Sequence, residues 1–177
     1  MKILQKISLA VAAVALSGVP VVAEETLTQV STLPNAGTYF IVNADNGEAL
    51  QPVAASLGQN VFTHEFNKGG TQMWAITRKI DPVTHKPTNR YTVKLAGETP
   101  GLNFQPHPST DTSAIVSTDA SVFALAADQS GIVIKSVAKN GDALYIYPSP
   151  PGPTETRFGP SDGSKKYHWA FIEAPAL

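Results

Sequence analysis

Short apolar runs recur three times along this chain, separated by clusters of Gly, Pro, Asn and Asp. Thr38-Tyr39-Phe40-Ile41-Val42, Tyr91-Thr92-Val93-Lys94-Leu95 and Ile132-Val133-Ile134-Lys135-Ser136 are rich in β-branched and aromatic residues. Each precedes a second run: Gly47-Glu48-Ala49-Leu50-Gln51-Pro52, Gly101-Leu102-Asn103-Phe104-Gln105-Pro106, or Asp142-Ala143-Leu144-Tyr145-Ile146-Tyr147-Pro148. After a variable loop each copy ends on an aromatic-centred run: Met73-Trp74-Ala75-Ile76, Val122-Phe123-Ala124-Leu125, or His168-Trp169-Ala170-Phe171-Ile172. Runs of this length between turn-forming residues predict strands. Their recurrence predicts one structural unit in three copies.

The unit contains four strands. Repeat one takes 38–43, 49–52, 60–64 and 73–78, and repeat two takes 90–95, 102–105, 114–117 and 121–126. Repeat three takes 131–137, 143–147, 156–158 and 167–173. Residues 119–127 also suit a helix capped by Asp119, but alignment with the other copies makes 121–126 a strand. The fold class is all-β, with twelve strands closing on themselves and leaving few free edges. Repeats are expected at about 37–78, 89–126 and 130–173, in one domain spanning 37–177 after a short extension at 24–36. Two insertions, 79–88 and the Pro-rich 148–166, read as surface loops, where binding determinants concentrate.

The first 23 residues read differently. Lys2 and Lys6 precede an apolar stretch from Ile7 to Leu16, and Val21-Val22-Ala23 supplies small residues for cleavage before Glu24. This is the pattern of a signal peptide, hence of a secreted, extracellular protein. The apolar stretch is broken by Ser17, Gly18 and Pro20, too short for the ~20 residues of a spanning helix. No membrane insertion is expected. Cleavage removes 23 of 177 residues and two lysines, leaving 11 basic residues against 14 acidic, a net charge of −3. That balance argues against a nucleic-acid partner, which would demand clustered basic faces. The chain has no cysteine, so thiol catalysis, thiolate metal sites and disulfide staples are excluded, and packing alone must hold the domain.

Gly37-Thr38-Tyr39-Phe40-Ile41-Val42-Asn43, the Gly47…Leu50-Gln51 strand, Gly58-Gln59-Asn60-Val61 and Asn67-Lys68-Gly69-Gly70-Thr71-Gln72-Met73-Trp74 closely resemble one repeat of the ricin-B-like β-trefoil lectins. The terminal Gln-X-Trp of that family stands here as Gln72-Met73-Trp74. Repeats two and three keep the aromatic as Phe123 and Trp169 but carry Ser121 and Tyr167 in place of the Gln. The resemblance implies a β-trefoil, a pseudo-three-fold barrel of three four-strand repeats, with Trp74, Phe123 and Trp169 in its central core. It also implies a non-enzymatic carbohydrate-binding domain whose partners are glycans or glycoproteins, with no cofactor, as a monomer or weak oligomer. Carried onto repeat one, the family's sugar-binding positions are Gln51, His64, Asn67 and Gln72. Asn67 and Gln72 match the family pattern. Gln51 stands where an Asp is usual, and His64 where an aromatic is usual. Repeat two, with Gln105-Pro106-His107 and no aromatic between Ser109 and Val122, offers no such site. In repeat three, Tyr145 and Tyr147 share one strand face, and at least one of them is expected in the core.

Other chemistry is sparse. The four histidines, His64, His85, His107 and His168, form no metal-ligand pair. His168, beside Trp169, reads as a partly exposed strand residue. Gly159-Pro160-Ser161-Asp162-Gly163 matches a nucleophile-elbow pattern but lies in a polar loop, so it reads as turn chemistry. A more distant resemblance, to the mycocypin β-trefoil protease inhibitors, rests on the stretch Trp74-Ala75-Ile76-Thr77-Arg78…Tyr91-Thr92-Val93-Lys94. It implies the alternative that loops 79–88 and 148–166 enter a protease or other protein partner.

Overall fold

The structure, a computed structural model, describes residues 29–30, 32–96, 101–109, 111–147 and 153–175. The expected signal peptide lies outside these residues, as do 148–152 of the Pro-rich insertion. Thirteen strands are present among them: β1 (Gln29–Val30), β2 (Gly37–Asn43), β3 (Ala49–Pro52), β4 (Val61–His64), β5 (Met73–Ile80), β6 (Pro87–Leu95), β7 (Asn103–Pro106), β8 (Ala114–Ser117), β9 (Phe123–Asp128), β10 (Gly131–Ser136), β11 (Ala143–Tyr147), β12 (Thr154–Gly159) and β13 (His168–Glu173). One turn of 3₁₀-helix precedes β5 (Gly70–Gln72) and another precedes β13 (Lys165–Tyr167).

Antiparallel pairing carries β2 to β5, β5 to β6, β6 to β9, β9 to β10, β10 to β13, and β13 back to β2. That closed ring of six strands is the barrel. The hairpins β3–β4, β7–β8 and β11–β12 close one end of it. They meet through the β12–β4 pairing and the bridges Asn60–Ile115 and Ser113–Arg157. Six barrel strands and three capping hairpins about a pseudo-three-fold axis make a β-trefoil.

Two expectations are corrected here. Residues 79–88 are not a free loop. β5 runs to Ile80 and β6 starts at Pro87, so this segment is the end of a β-ribbon closed by a tight turn. The 148–166 insertion is likewise cut by β12, which begins at Thr154. The helical reading of 119–127 has no counterpart, since 123–128 is strand β9.

Alternation fills the barrel. Tyr39, Ile41, Trp74, Ile76, Tyr91, Val93, Leu95, Phe123, Leu125, Ile132, Ile134, Trp169 and Phe171 point inward from the barrel strands into one core, which Leu50, Phe104, Leu144 and Phe158 complete from the cap. Trp74, Phe123 and Trp169 are all fully buried. Trp74 Nε1 donates to Leu50 O at 2.8 Å and Trp169 Nε1 to Leu144 O at 3.1 Å, the matching carbonyl in each repeat. Each indole thus satisfies its one polar atom while burying its rings, which is what allows a Trp so deep in an apolar core. Repeat two avoids the problem with Phe123, which stacks on Phe158 at 6.1 Å and lies 5.2 Å from Phe104.

Candidate functional site

The cap strands of repeat one position the expected residues. Along β4, Val61 and Thr63 are buried, so Phe62 and His64 project to the outside. Gln51 on β3 pairs with Phe62, and Ala49 with His64. Gln51, Pro52, Val53, Phe62, His64 and Pro153 line an open cleft of about 200 Å³. Pro153 arrives from repeat three because Thr154 and Glu155 of β12 pair with Thr63 and Phe62.

Hydrogen bonds fix the polar atoms of this site. The Asn67 backbone N–H donates to Gln72 Oε1 at 3.1 Å, so that atom must be the amide oxygen. Gln72 Nε2 then donates to Glu65 O at 2.8 Å and to Gln51 Oε1 at 2.9 Å. With its oxygen held by Gln72, Gln51 is left with its NH₂ as the group to offer a ligand. Where a carboxylate would accept hydrogen bonds, this site donates them.

The four expected residues therefore divide. Gln51 and His64 line the cleft. Gln72 does not; it is 0% exposed and serves to anchor Gln51 and the 65–67 segment. Asn67 is exposed but turns its side-chain oxygen onto Gly69 N at 2.8 Å, shaping the turn before the 3₁₀-helix. Glu48, beside Ala49 of β3, is occupied by Thr63 Oγ1 at 2.6 Å and Asn46 Nδ2 at 2.7 Å. Sequence reasoning missed Phe62, Val53 and Pro153. Strand alternation alone places Phe62 on the same face as His64, so an aromatic does stand in the cleft, two residues before the expected position. Pro153 carried no local signal, because the β12–β4 contact joins different repeats.

Repeat three rebuilds the same frame from other residues. Its second strand matches β3 in burial, which aligns Tyr145 with Gln51. Tyr167 aligns with Gln72, and its hydroxyl donates to Pro160 O at 2.8 Å. Asp162 aligns with Asn67, and its Oδ1 accepts from Ser164 N at 2.9 Å. The Tyr145 and Tyr167 rings contact at 5.0 Å in place of the amide–amide bond. Gly159, aligned with His64, leaves room for that ring: a Cβ at 159 would sit 3.1 Å from Tyr145 Cε1. Neither tyrosine of β11 is a core residue, contrary to expectation. Tyr145 is half-buried under the Lys166 ammonium, 5.5 Å from the ring centre. Tyr147 is 42% exposed, with the Arg157 guanidinium 4.0 Å above its ring.

The remaining chemistry resolves into structure. His168 is a correction: it is 2% exposed, with Nε2 2.9 Å from Asp128 Oδ2 and Nδ1 2.9 Å from Ser164 O. This contact, with the Ser130 N–H, holds the Asp128 carboxyl below its usual range against the opposing effect of burial. Ser161 accepts a hydrogen bond from Gly163 N at 3.3 Å in a turn that leads into the second 3₁₀-helix. Among the described residues there is no group of three or more His, Asp or Glu placed to hold a metal ion, and no helix is long and apolar enough to cross a membrane.

No protein-family model matches the chain, and no curated protein matches it. Solved structures do. The Rhizoctonia solani agglutinin superposes with a TM-score of 0.66 at 20% identity, over 80% of this chain and 97% of that one. ThreeFoil, a designed three-fold symmetric protein, gives 0.64 at 18% identity over 77% and 99%. The Polyporus squamosus lectin, solved with the epitope Neu5Acα2-6Galβ1-4GlcNAc, gives 0.63 at 15% identity over 80% and 50%. The β-trefoil is the fold they share. Identities this low speak for architecture and leave the function to be argued from the site.

Proposed function

We propose that this protein is a secreted, non-enzymatic carbohydrate-binding domain that holds a glycan in the repeat-one cleft. The observation that carries the reading is the Gln51 amide, its oxygen held by Gln72 so that its NH₂ is left for a ligand, beside the half-buried Phe62 ring and the exposed His64 ring. An aromatic face covers the C–H side of a sugar ring, and an oriented amide bonds an oxygen on its rim. The cleft of about 200 Å³ is smaller than the roughly 300–1,000 Å³ of enclosed small-molecule pockets, which fits a shallow grip on one terminal sugar. Because Gln51 donates, the preferred partner presents an acceptor there, such as an acetamido carbonyl or a ring oxygen. Two of the matching structures are named as a lectin or an agglutinin, which agrees with this use of the fold.

A glycan array probed with the chain from Glu24 onward tests the reading. Wild type should give signal that Gln51→Ala and His64→Ala, both at residues lining the cleft, reduce while the protein stays folded. Signal as strong as wild type from both variants would remove the site assignment, and a blank array for wild type would remove the function.

A second reading, a protein-binding or protease-inhibiting domain, is favoured by the β5–β6 turn. Asp81 Oδ1 accepts from both Val83 N and Thr84 N at 2.8 Å, and the rigid turn so formed presents Val83 at 84% exposure. A pre-shaped turn ending in an aliphatic side chain loses little entropy on entering a cleft. A protease panel run beside the glycan array separates the two readings. Submicromolar inhibition, abolished by Val83→Asp, with a blank array would select the second.

A further inference from the structure

We propose that the outer face of barrel strands β5, β6, β9 and β10 is a separate binding surface for a linear anionic polysaccharide, one carrying sulfate or carboxylate groups. Alternation puts Arg90 and Lys94 of β6 outward between the buried Tyr91, Val93 and Leu95. Lys135 of β10 stands outward between the buried Ile134 and Ser136. Arg90 pairs with Ala124 of β9, and Ala124 pairs with Lys135, so the two cations flank a small residue in one cross-strand row. Two strand spacings separate their backbones, about 10 Å. Lys94 lies four residues along β6 from Arg90, about 13 Å away. Exposed Lys79 adds a fourth cation at the β5 bulge beside the Arg78–Tyr91 pair.

The surroundings make this row unusual for a chain with more acids than bases. The four strands carry one acid, Asp128, and its carboxylate is taken up by His168 and the Ser130 N–H. Three cations elsewhere are matched locally: Arg157 with Glu155, Lys166 with Asp162, and Lys139 with the Ser109 carbonyl. Among the described residues, Lys79, Arg90, Lys94 and Lys135 have no ion-pair partner. Between them the face shows Ala75, Thr77, Thr92, Ala124 and Ala126, a floor of small side chains that lets a chain lie flat across the strands. Unpaired cations of one sign along such a floor attract and align a polyanion. The same floor argues against single-stranded nucleic acid, because it offers no aromatic platform for base stacking.

The proposal is independent of the repeat-one cleft. Its test uses the purified protein and a fluorescent heparin decasaccharide, read by polarisation against salt, beside a neutral dextran oligomer and a DNA duplex. Arg90→Gln/Lys94→Gln/Lys135→Gln is compared with the charge-matched control Lys68→Gln/Lys86→Gln/Lys165→Gln. The expected result is binding at about 50 mM salt that weakens as salt rises. The face variant should lose tenfold or more in affinity, with its melting temperature unchanged, and the control less than threefold. Three results overturn the proposal: no heparin binding by wild type, equal losses in the two variants, or DNA bound as tightly as heparin.

Discussion

Tyr167 stands in repeat three where Gln72 stands in repeat one, and each side chain reaches back seven residues to a backbone carbonyl, Pro160 O or Glu65 O, at 2.8 Å. An amide and a phenol have little in common in a sequence alignment. What they share is a donor at the end of a buried side chain, on the last residue of a 3₁₀ turn and two residues before the core tryptophan. The anchoring contact is thus kept while the residue type changes.

The two anchors differ in how much rests on them. Gln72→Ala removes the bonds to Glu65 O, Asn67 N and Gln51 at once, and should cost about 2–3 kcal/mol, since three part-buried hydrogen bonds at about 1 kcal/mol each are lost together. Tyr167→Phe removes one hydrogen bond and keeps the ring packed on Tyr145, at about 1 kcal/mol. Urea denaturation of both variants checks the order. A Tyr167→Phe loss as large as that of Gln72→Ala would contradict it.

Gln51→Glu reverses the polarity of the cleft. Gln72 Nε2 still has an oxygen to donate to, so the anchor survives, but the outward group now accepts instead of donating. Array signal should move from acceptor-bearing sugars toward neutral sugars with paired hydroxyls, with a change in melting temperature of no more than about 2 °C. An unaltered glycan profile would show that Gln51 does not face the ligand.

Trp74→Ala and Trp169→Ala should each destabilise by about 3–5 kcal/mol and yield poorly folded protein. Trp74→Phe is milder, leaving the Leu50 carbonyl without the indole N–H that now satisfies it. Circular dichroism melts distinguish these outcomes from a binding role, in which folding would be intact and only ligand lost.

Acid should loosen the turn before β13. Hydrogen bonds from Ser164, and then the neighbouring Lys166, hold the Asp162 carboxyl at about 2 against 3.8 for the free group. A folded-state value below the unfolded one contributes stability that is present above pH 3.8 and lost as pH falls toward 2. Asp128, also lowered, acts in the same direction. Asp162→Asn keeps an oxygen for the turn and loses the titration, so its melting temperature should fall less steeply than wild type between pH 4 and 2. Parallel curves would place the acid sensitivity elsewhere.

The barrel was legible in the sequence because its determinants are local and repeated: alternation fixes each strand, and three buried aromatics at 49- and 46-residue spacing mark the copies. Gln51 and His64 were named through the family resemblance, and they line one cleft because they lie on neighbouring strands of one hairpin. What escaped depends on contacts between repeats or on chemistry that substitutes one residue type for another. Pro153 joins repeat one's cleft only through β12, His168 is buried only because Asp128 and Ser164 close over it, and Tyr167 replaces Gln72 by function and not by similarity. The ribbon at 79–88 misled because Asp81-Pro82 and Lys86-Pro87 signal a loop, whereas Asp81 and Lys86 are the ends of a tight turn joined by an N–H···O bond of 2.9 Å.

The ring of six strands has its seam between β2 and β13, the first and last barrel strands in the chain. Asn43 Nδ2 fastens that seam to Lys166 O and His168 O, the latter 125 positions away in the chain. During synthesis β2 therefore waits, with one edge unpaired, until β13 has been made. Contacts of such high sequence separation fold slowly, and an open strand edge in the interval invites pairing with a neighbouring chain. The step that completes the barrel is thus also the interval in which a newly made molecule is most exposed to its own kind.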